Sequence, residues 1–133
     1  MTLSTTTNNI KPTSTAEFSD ILHTARYYVD ALRTGDVDHS RKGFHKDATM
    51  YGHLGPQFSA GPIDSLFNLM REKGGTPELI YHLTVLATTP TTAIVEVDSE
   101  LDNEGFRDHL VMVKVDGKWQ IVSKIFHMYE AKA

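Results

Sequence analysis

The sequence predicts an α+β domain in which N-terminal helices pack on one face of a curved antiparallel sheet. Apolar residues recur at spacings of three and four near the start of the chain, which is the period of an amphipathic helix. The last third alternates apolar and polar residues between short turn sequences, as the strands of a meander do. Helices followed by a run of strands favour an α+β fold, and 133 residues suit a single domain with one core.

The N-terminal residues are rich in Thr, Ser and Asn and lack the apolar segment of a signal peptide or membrane anchor. We expect residues 1–14 to form a disordered tail and residues 15–133 to form the domain. The first helix is predicted from about Ala16 to Arg33, with Gly35 ending it. Its buried stripe is Phe18, Ile21, Leu22, Ala25, Tyr28, Val29 and Leu32.

The middle of the chain predicts shorter elements. Pro62 suits the first turn of a helix, so a helix is expected to start directly after it. The predicted elements are a helix from Val37 to about Phe44, a strand from Ala48 to Gly52, a helix from Ile63 to Lys73 and a strand from Glu78 to Thr88.

Three long strands complete the sheet: Ala93 to Leu101, Phe106 to Lys114 and Trp119 to Met128. The connection between the second and the third of these strands allows two registers. A two-residue Asp116-Gly117 turn would pair His109 with Lys124, whereas a three-residue loop that starts at Val115 would pair Asp108 with Lys124. We prefer the three-residue loop, because it leaves few polar groups on an otherwise apolar face.

In the preferred register, the only polar side chains on the apolar face are Ser99, Asp108 and Lys124. A few convergent polar groups in an apolar concavity are typical of a small-molecule pocket. The alternative is a solvated ion pair at the sheet rim without function. The opposite face carries an apolar patch that predicts a sheet-to-sheet homodimer, unless the N-terminal tail covers it. The predicted interface residues are Val111, Val113, Trp119, Ile121 and Ile125.

Composition excludes several function classes. The net charge of −4, without a basic cluster, argues against a nucleic-acid partner. The absence of cysteine excludes disulfides, thiolate catalysis and Cys-ligated zinc. None of the seven histidines has the spacing of a recognised zinc motif. We therefore expect a cytoplasmic protein with no cofactor, no metal, and neither membrane nor nucleic acid as a partner.

Several segments carry a resemblance to a known family: YYVDALRTGDVD, GFHKDATMYG, the helix after Gly61-Pro62, and DGKWQIVSKIFH. With the order of elements, they resemble the nuclear transport factor 2-like superfamily from about residue 16 onward. FHKDA and DGKWQIVSK are most similar to its SnoaL-like, "putative lumazine-binding" branch. The resemblance implies a cone-shaped, cystatin-like sheet with a pocket, and commonly a homodimer. The superfamily includes isomerases, dehydratases, cyclases, hydrolases and non-catalytic domains, so the fold does not assign a function.

Matched residue by residue, Tyr28 corresponds to the oxyanion-hole tyrosine of ketosteroid isomerases and Asp108 to the aspartic acid beside it. The position of their general base is Gly52, which argues against steroid isomerisation and predicts a wider cavity. His53 could replace the base if its strand bulged. The resemblance and the preferred register together imply a ligand pocket of Tyr28, His53, Asp108, Lys124, Leu110, Met112, Val122 and Phe126.

We expect a soluble dimer whose pocket binds a small, mostly apolar molecule with an acidic or carbonyl group, with Lys124 as the cation. Two alternatives stay open. One is an isomerase, dehydratase or polyketide-cyclase-like enzyme that uses Asp108 and Tyr28 with His53. The other is a non-catalytic dimerisation domain. The sequence names neither the ligand nor the reaction.

Overall fold

A computed structural model describes residues 9–101 and 104–130 of the chain, which form an α+β fold as predicted. Within those ranges, no helix is long and apolar enough to cross a membrane. Part of the predicted tail and part of the first turn of the meander lie outside the described residues. The elements are α1 (Thr15–Thr34), α2 (Val37–Arg41), β1 (Phe44–Leu54), β2 (Gln57–Pro62), α3 (Asp64–Lys73), β3 (Ile80–Thr88), β4 (Thr92–Leu101), β5 (Glu104–Val115) and β6 (Lys118–Met128).

Helix α1 matches the prediction to within one residue at each end. The Ser14 side chain accepts a hydrogen bond from the backbone N–H of Glu17 at the N-terminus. Gly35 ends the helix in the left-handed conformation, with φ 78°, and its N–H donates to the carbonyl of Ala31. The buried side of α1 packs on the sheet and places Tyr28 in the core.

The six strands form one curved, open sheet in the order β2-β1-β6-β5-β4-β3. Only β1 and β6 run parallel. The helices cover one side, which we call the inner face, and the other side is the outer face. Strands β3 to β6 are the predicted meander. Strand β2 was not predicted, because its sequence QFSAGP lacks a clear apolar alternation, and the predicted helix from Val37 to Phe44 is shorter, since Phe44 begins β1.

The turn between β5 and β6 has two residues, Asp116 and Gly117, which both adopt left-handed φ values of 51° and 78°. Such a turn fits the twist of a two-residue hairpin. The preferred three-residue loop is therefore wrong. The alternative register is wrong too, because a β-bulge follows in β6.

Val122 is the extra residue of this bulge, since Met112 pairs with Ile121 and Val111 already pairs with Ser123. Beyond the bulge, Lys124 pairs with Leu110. The two-residue turn and the one-residue bulge together give the same alternation as a three-residue loop with no bulge. The C-terminal half of β6 therefore presents Lys124 on the inner face, as the preferred register predicts.

The N-terminal half of β6 is where the face prediction is wrong. Trp119 and Ile121 lie before the bulge and point into the core, with 5% and 0% of their surface exposed. Val122, predicted on the inner face, sits at the bulge and is half-buried. Val111, Val113 and Ile125 do lie on the outer face, where Ile125 is 40% exposed. The outer apolar surface is therefore smaller than the sequence predicts.

Candidate functional site

Three polar side chains meet inside the domain. Tyr28 comes from α1, Asp108 from β5 and Lys124 from β6, and they are 3%, 1% and 5% exposed. The helical stripe of α1 turns Tyr28 toward the sheet, and strand alternation turns Asp108 and Lys124 toward the helix. We call these three residues the inner cluster. Charged residues are rarely buried to this degree unless they are paired or functional.

Tyr28 and Asp108 are joined by a short hydrogen bond. The Tyr28 hydroxyl donates to Oδ2 of Asp108 at 2.7 Å. Burial raises the pKa of Tyr28 well above its usual value, and the charge of Asp108 and the hydrogen bond to it add to the rise. Tyr28 therefore remains a proton donor. Oδ1 of Asp108 is buried without a hydrogen-bond partner among the described residues. This oxygen therefore has unused hydrogen-bonding capacity.

Lys124 packs against aromatic rings. Its Nζ lies 4.1 Å from the ring centroid of Phe126 and 5.7 Å from that of Tyr28. No carboxylate of the described residues lies within 4.0 Å of this amine. Burial lowers the pKa of Lys124, and attraction to Asp108 opposes the fall without cancelling it. A buried lysine with a lowered pKa has a larger neutral, nucleophilic fraction.

The walls around the inner cluster are tightly packed. Leu110 and Met112 are fully buried on the inner face, and Phe126 is almost so. Gly52 does not widen a cavity, contrary to the prediction. A Cβ at position 52 would lie 2.7 Å from Cγ of Phe126 and would clash with the Phe126 carbonyl. The absent side chain instead allows β6 and the Phe126 ring to approach β1.

His53 is not part of the inner cluster. It lies exposed on the outer face, with its ring centroid 5.5 Å from that of Phe58 and 6.5 Å from that of His127. The prediction that His53 reaches inward is wrong, because β1 pairs regularly with both neighbours from Thr49 to Leu54 and has no bulge there.

A cavity of about 410 Å³ lies at the ends of β3, β4 and β5 and includes no residue of the inner cluster. It is lined by residues from both faces of the sheet: Ile80, Tyr81, His82, Asp98, Ser99, Glu100, Gly105, Phe106, Arg107 and Tyr129. Phe106 is on the inner face two residues before Asp108, so the cavity adjoins the inner cluster along β5. Sequence analysis placed Ser99 on the inner face but missed the cavity, because it forms where three strand ends meet.

No group of three or more His, Asp or Glu side chains suited to a metal ion occurs in the described parts of the chain. The chemistry on the inner face therefore consists of a hydroxyl donor, a carboxyl group and a buried amine. Such a set can form a covalent bond to a carbonyl carbon, donate a hydrogen bond to a carbonyl oxygen and move a proton.

Residues 16–127 match the family described as "Putative lumazine-binding". The chain belongs to this family. Its fold is the one that the sequence predicted, because solved structures of nuclear transport factor 2-like proteins superpose on it. An NTF2-like protein of unknown function from Methylobacillus flagellatus is 29% identical with a TM-score of 0.82, over 88% of this chain and 95% of that one.

Two further proteins are similar to this chain. A second NTF2-like protein of unknown function, from Shewanella baltica, is 26% identical with a TM-score of 0.81. The match covers 91% of this chain and 100% of that one. A protein named "Aldolase FrzH", from Cladobotryum sp, is 40% identical over 121 residues, which are 90% of this chain and 97% of that protein. One protein that is similar to this chain is therefore named as an aldolase.

Proposed function

We propose that this protein is an aldolase-type enzyme that acts on small, mostly apolar carbonyl compounds and uses Lys124 as an amine nucleophile. The observation that carries the proposal is the buried amine of Lys124, which has no salt bridge to a described residue and adjoins the Tyr28–Asp108 hydrogen bond. The 40% identity to the protein named "Aldolase FrzH" supports the reaction class.

The first step forms an imine. The neutral amine of Lys124 attacks the carbonyl carbon of the donor, and a carbon–nitrogen bond forms. The carbonyl oxygen takes up both protons of the amine and leaves as water. Protonation of the imine nitrogen from solvent gives an iminium ion. The surrounding apolar walls favour this step, because they disfavour the ammonium form of the lysine.

The second step makes the carbon–carbon bond. The free Oδ1 of Asp108 removes a proton from the carbon next to the iminium, which gives an enamine. The enamine carbon attacks the acceptor carbonyl, whose oxygen takes the proton back from Asp108. Water then hydrolyses the iminium and regenerates Lys124. Tyr28 keeps its hydrogen bond to Oδ2 and orients the carboxyl group throughout.

This mechanism keeps part of the enzymatic alternative that the sequence left open. Asp108 keeps the proton transfer, and Tyr28 orients Asp108 instead of polarising a carbonyl group. Lys124 adds an amine nucleophile, and His53 has no role, since it is exposed on the other side of the sheet. A dehydratase or isomerase would share the proton transfer at Asp108 but would not need the amine.

Reductive trapping tests the proposal. The protein is mixed with phenylacetone and sodium cyanoborohydride, which reduces an iminium to a stable secondary amine, and is then mapped by peptide mass spectrometry. We expect one fast adduct, on Lys124, in the wild type and in Lys118→Met, a control at an exposed lysine. Lys124→Met should lose it. Equal labelling of exposed lysines, or binding without an adduct, would overturn the amine mechanism and favour a binding domain.

We also propose that two copies pair through their outer faces. The outer-face residues Val111, Val113 and Ile125 support this, because they form an apolar surface on strands β5 and β6. Ile125→Glu should convert a dimer to a monomer in sedimentation velocity, since it places an unpaired charge in the interface. Leu69→Glu is the control, because Leu69 is similarly exposed, at 42%, but lies on α3. An unchanged mass for Ile125→Glu would move the interface elsewhere.

A further inference from the structure

One row of inner-face residues lies between the inner cluster and the described cavity. Strand pairing places Ser99 directly between two aromatic residues, Tyr81 on β3 and Phe106 on β5. All three line the cavity of about 410 Å³. In the next row along the same face, Asp108 pairs with Val97. Any substrate that extends from the inner cluster along β5 meets this row first.

Ser99 is an unusual residue for its position. It is 7% exposed, and it lines the cavity between two aromatic side chains. A hydroxyl between aromatic rings in a cavity wall is a candidate for contact with a ligand, because it can fix the orientation of the bound molecule. A hydroxyl both donates and accepts, so it suits a hydroxyl or a carbonyl oxygen.

The aromatic neighbours restrict the shape of the group that fits beside Ser99. Phe106 and Tyr81 are both half-buried. One face of the Tyr81 ring is already covered by the guanidinium of Arg33, at 4.6 Å from the centroid, and its hydroxyl donates to Asp30 at 3.0 Å. Tyr81 is therefore held in place as one wall. Flat aromatic walls favour a planar ring through stacked or edge-to-face contact.

The spacing of rows sets the length of the substrate. Neighbouring rows on one face of a sheet are two residues apart, which is roughly 7 Å. A single six-membered ring bridges that distance when it has substituents at opposite positions. The reacting carbonyl would then lie at the inner cluster, and an oxygen substituent on the opposite side of the ring would lie at Ser99.

We infer that Ser99, Tyr81 and Phe106 form a recognition subsite for an oxygenated aromatic ring, so that the substrates are phenol-like or aryl ketone-like compounds with a reactive carbonyl side chain. The reactive carbonyl rests on the proposed aldolase function. Recognition of the ring does not, because the subsite includes no residue of the inner cluster.

Binding of two unreactive probes tests the subsite. Neither 4-ethylphenol nor ethylbenzene has a carbonyl group, so neither can form an imine with Lys124. We expect 4-ethylphenol to bind the wild type about 3- to 10-fold more tightly, as one additional hydrogen bond provides. Binding is measured by NMR titration, which also reports whether the resonances of residues around Ser99 shift.

The matched variants are Ser99→Ala and Ser123→Ala. Ser99→Ala should make the two probes bind equally and should leave ethylbenzene affinity unchanged. It should also fold, since it removes a single hydroxyl from a cavity wall. Ser123→Ala should keep the preference, because Ser123 faces outward and is 3.2 Å from the Thr49 hydroxyl. A preference that survives Ser99→Ala, or shifts located away from this row, would overturn the inference.

The two proposals fail separately. If trapping at Lys124 fails but the phenol preference depends on Ser99, the protein binds oxygenated rings without amine chemistry. If trapping succeeds and Ser99→Ala does not change the preference, the aldolase mechanism stands and this subsite is wrong.

Discussion

Two polar clusters each contain one residue from helix α1, one from strand β5 and one from strand β6. They differ in whether the lysine forms a salt bridge with the carboxylate. In the cluster of Glu17, Lys114 and Trp119, which we call the rim cluster, the lysine Nζ donates to Oε1 of Glu17 at 2.8 Å. The indole N–H of Trp119 donates to the same oxygen at 3.1 Å. In the inner cluster, lysine and carboxylate form no salt bridge, and the carboxylate takes its hydrogen bond from a tyrosine instead.

The difference shows which cluster stabilises the fold. The hydrogen bond from Lys114 holds the pKa of Glu17 below its usual value, with burial opposing the shift, so folding favours the charged carboxylate. In the inner cluster, burial lowers the pKa of Lys124, so folding works against the charged amine. The rim cluster joins α1 to the sheet, whereas in the inner cluster the buried amine of Lys124 opposes folding in its charged form.

Removing each lysine should give the largest contrast. Lys124→Met should slow imine trapping by at least about 10³-fold, because the nucleophile is absent. It should also raise the free energy of unfolding, because an apolar side chain replaces an amine whose charged form is disfavoured by burial. Lys114→Met should keep the trapping rate and lower stability. Trapping kinetics and urea denaturation measure both effects, and a Lys124→Met protein less stable than wild type would contradict the comparison.

The next largest effect is expected from removing the hydroxyl of Tyr28. Tyr28→Phe leaves Asp108 without its protein hydrogen bond, which should lower stability by about 1 to 3 kcal/mol. Exchange of the phenylacetone protons next to the carbonyl with solvent deuterium should slow by about 10²-fold, because the carboxyl group that removes them is no longer oriented. Tyr27→Phe is the control, since Tyr27 is the neighbouring residue and its hydroxyl is hydrogen-bonded to the exposed His23, at 3.1 Å. Equal effects of the two changes would mean that the Tyr28 hydroxyl has no special role.

The pH dependence of stability should identify the buried amine. The folded pKa of Lys124 lies below the reference value of 10.5, so between the two values the unfolded chain binds more protons. The free energy of unfolding contributed by this group should therefore rise as pH rises through that window and fall as pH decreases. Lys124→Met should remove this slope. Denaturation of both proteins across the window gives the difference, and parallel curves would mean that the amine is solvated.

The smallest effect is expected at the rim. The folded pKa of Glu17 lies below its reference value of 4.5, so its stabilisation is complete above that value and is lost as pH falls through the folded pKa. Glu17→Gln should remove this loss of stability at acidic pH. At neutral pH it should lower the melting temperature slightly in low salt and less in high salt, because the pair is partly exposed. A salt-independent loss would indicate a packing role for Glu17.

Local sequence patterns predicted most of the fold. The apolar stripe and Gly35 gave α1 to within one residue at each end, and alternation gave β3 to β6. They also placed Tyr28, Asp108 and Lys124 on facing surfaces. Strand β2 was missed because it pairs along β1 without an apolar pattern of its own. His53 was placed inward on the condition of a bulge, and the regular pairing of β1 does not provide one.

The faces of Trp119 and Ile121 could not be predicted from alternation, because alternation assumes an unbroken strand. These residues and Lys124 are all inward, although Ile121 and Lys124 are three positions apart. Only tertiary packing reveals the extra residue, since α1 covers one half of β6 and the Phe126 ring fills the space beside the other. The cavity was missed for a similar reason, as three strand ends form it together.

The bulge at Val122 gives the protein a simple evolutionary route between two kinds of surface. Loss of that single codon would restore regular alternation through β6, and the half of the strand that follows would turn over relative to the half that precedes it. If the tryptophan end stayed anchored, Lys124 would move to the solvent side and become an ordinary surface lysine. One in-frame deletion could thus convert a lineage with a buried amine into one without it, while every other residue remained unchanged.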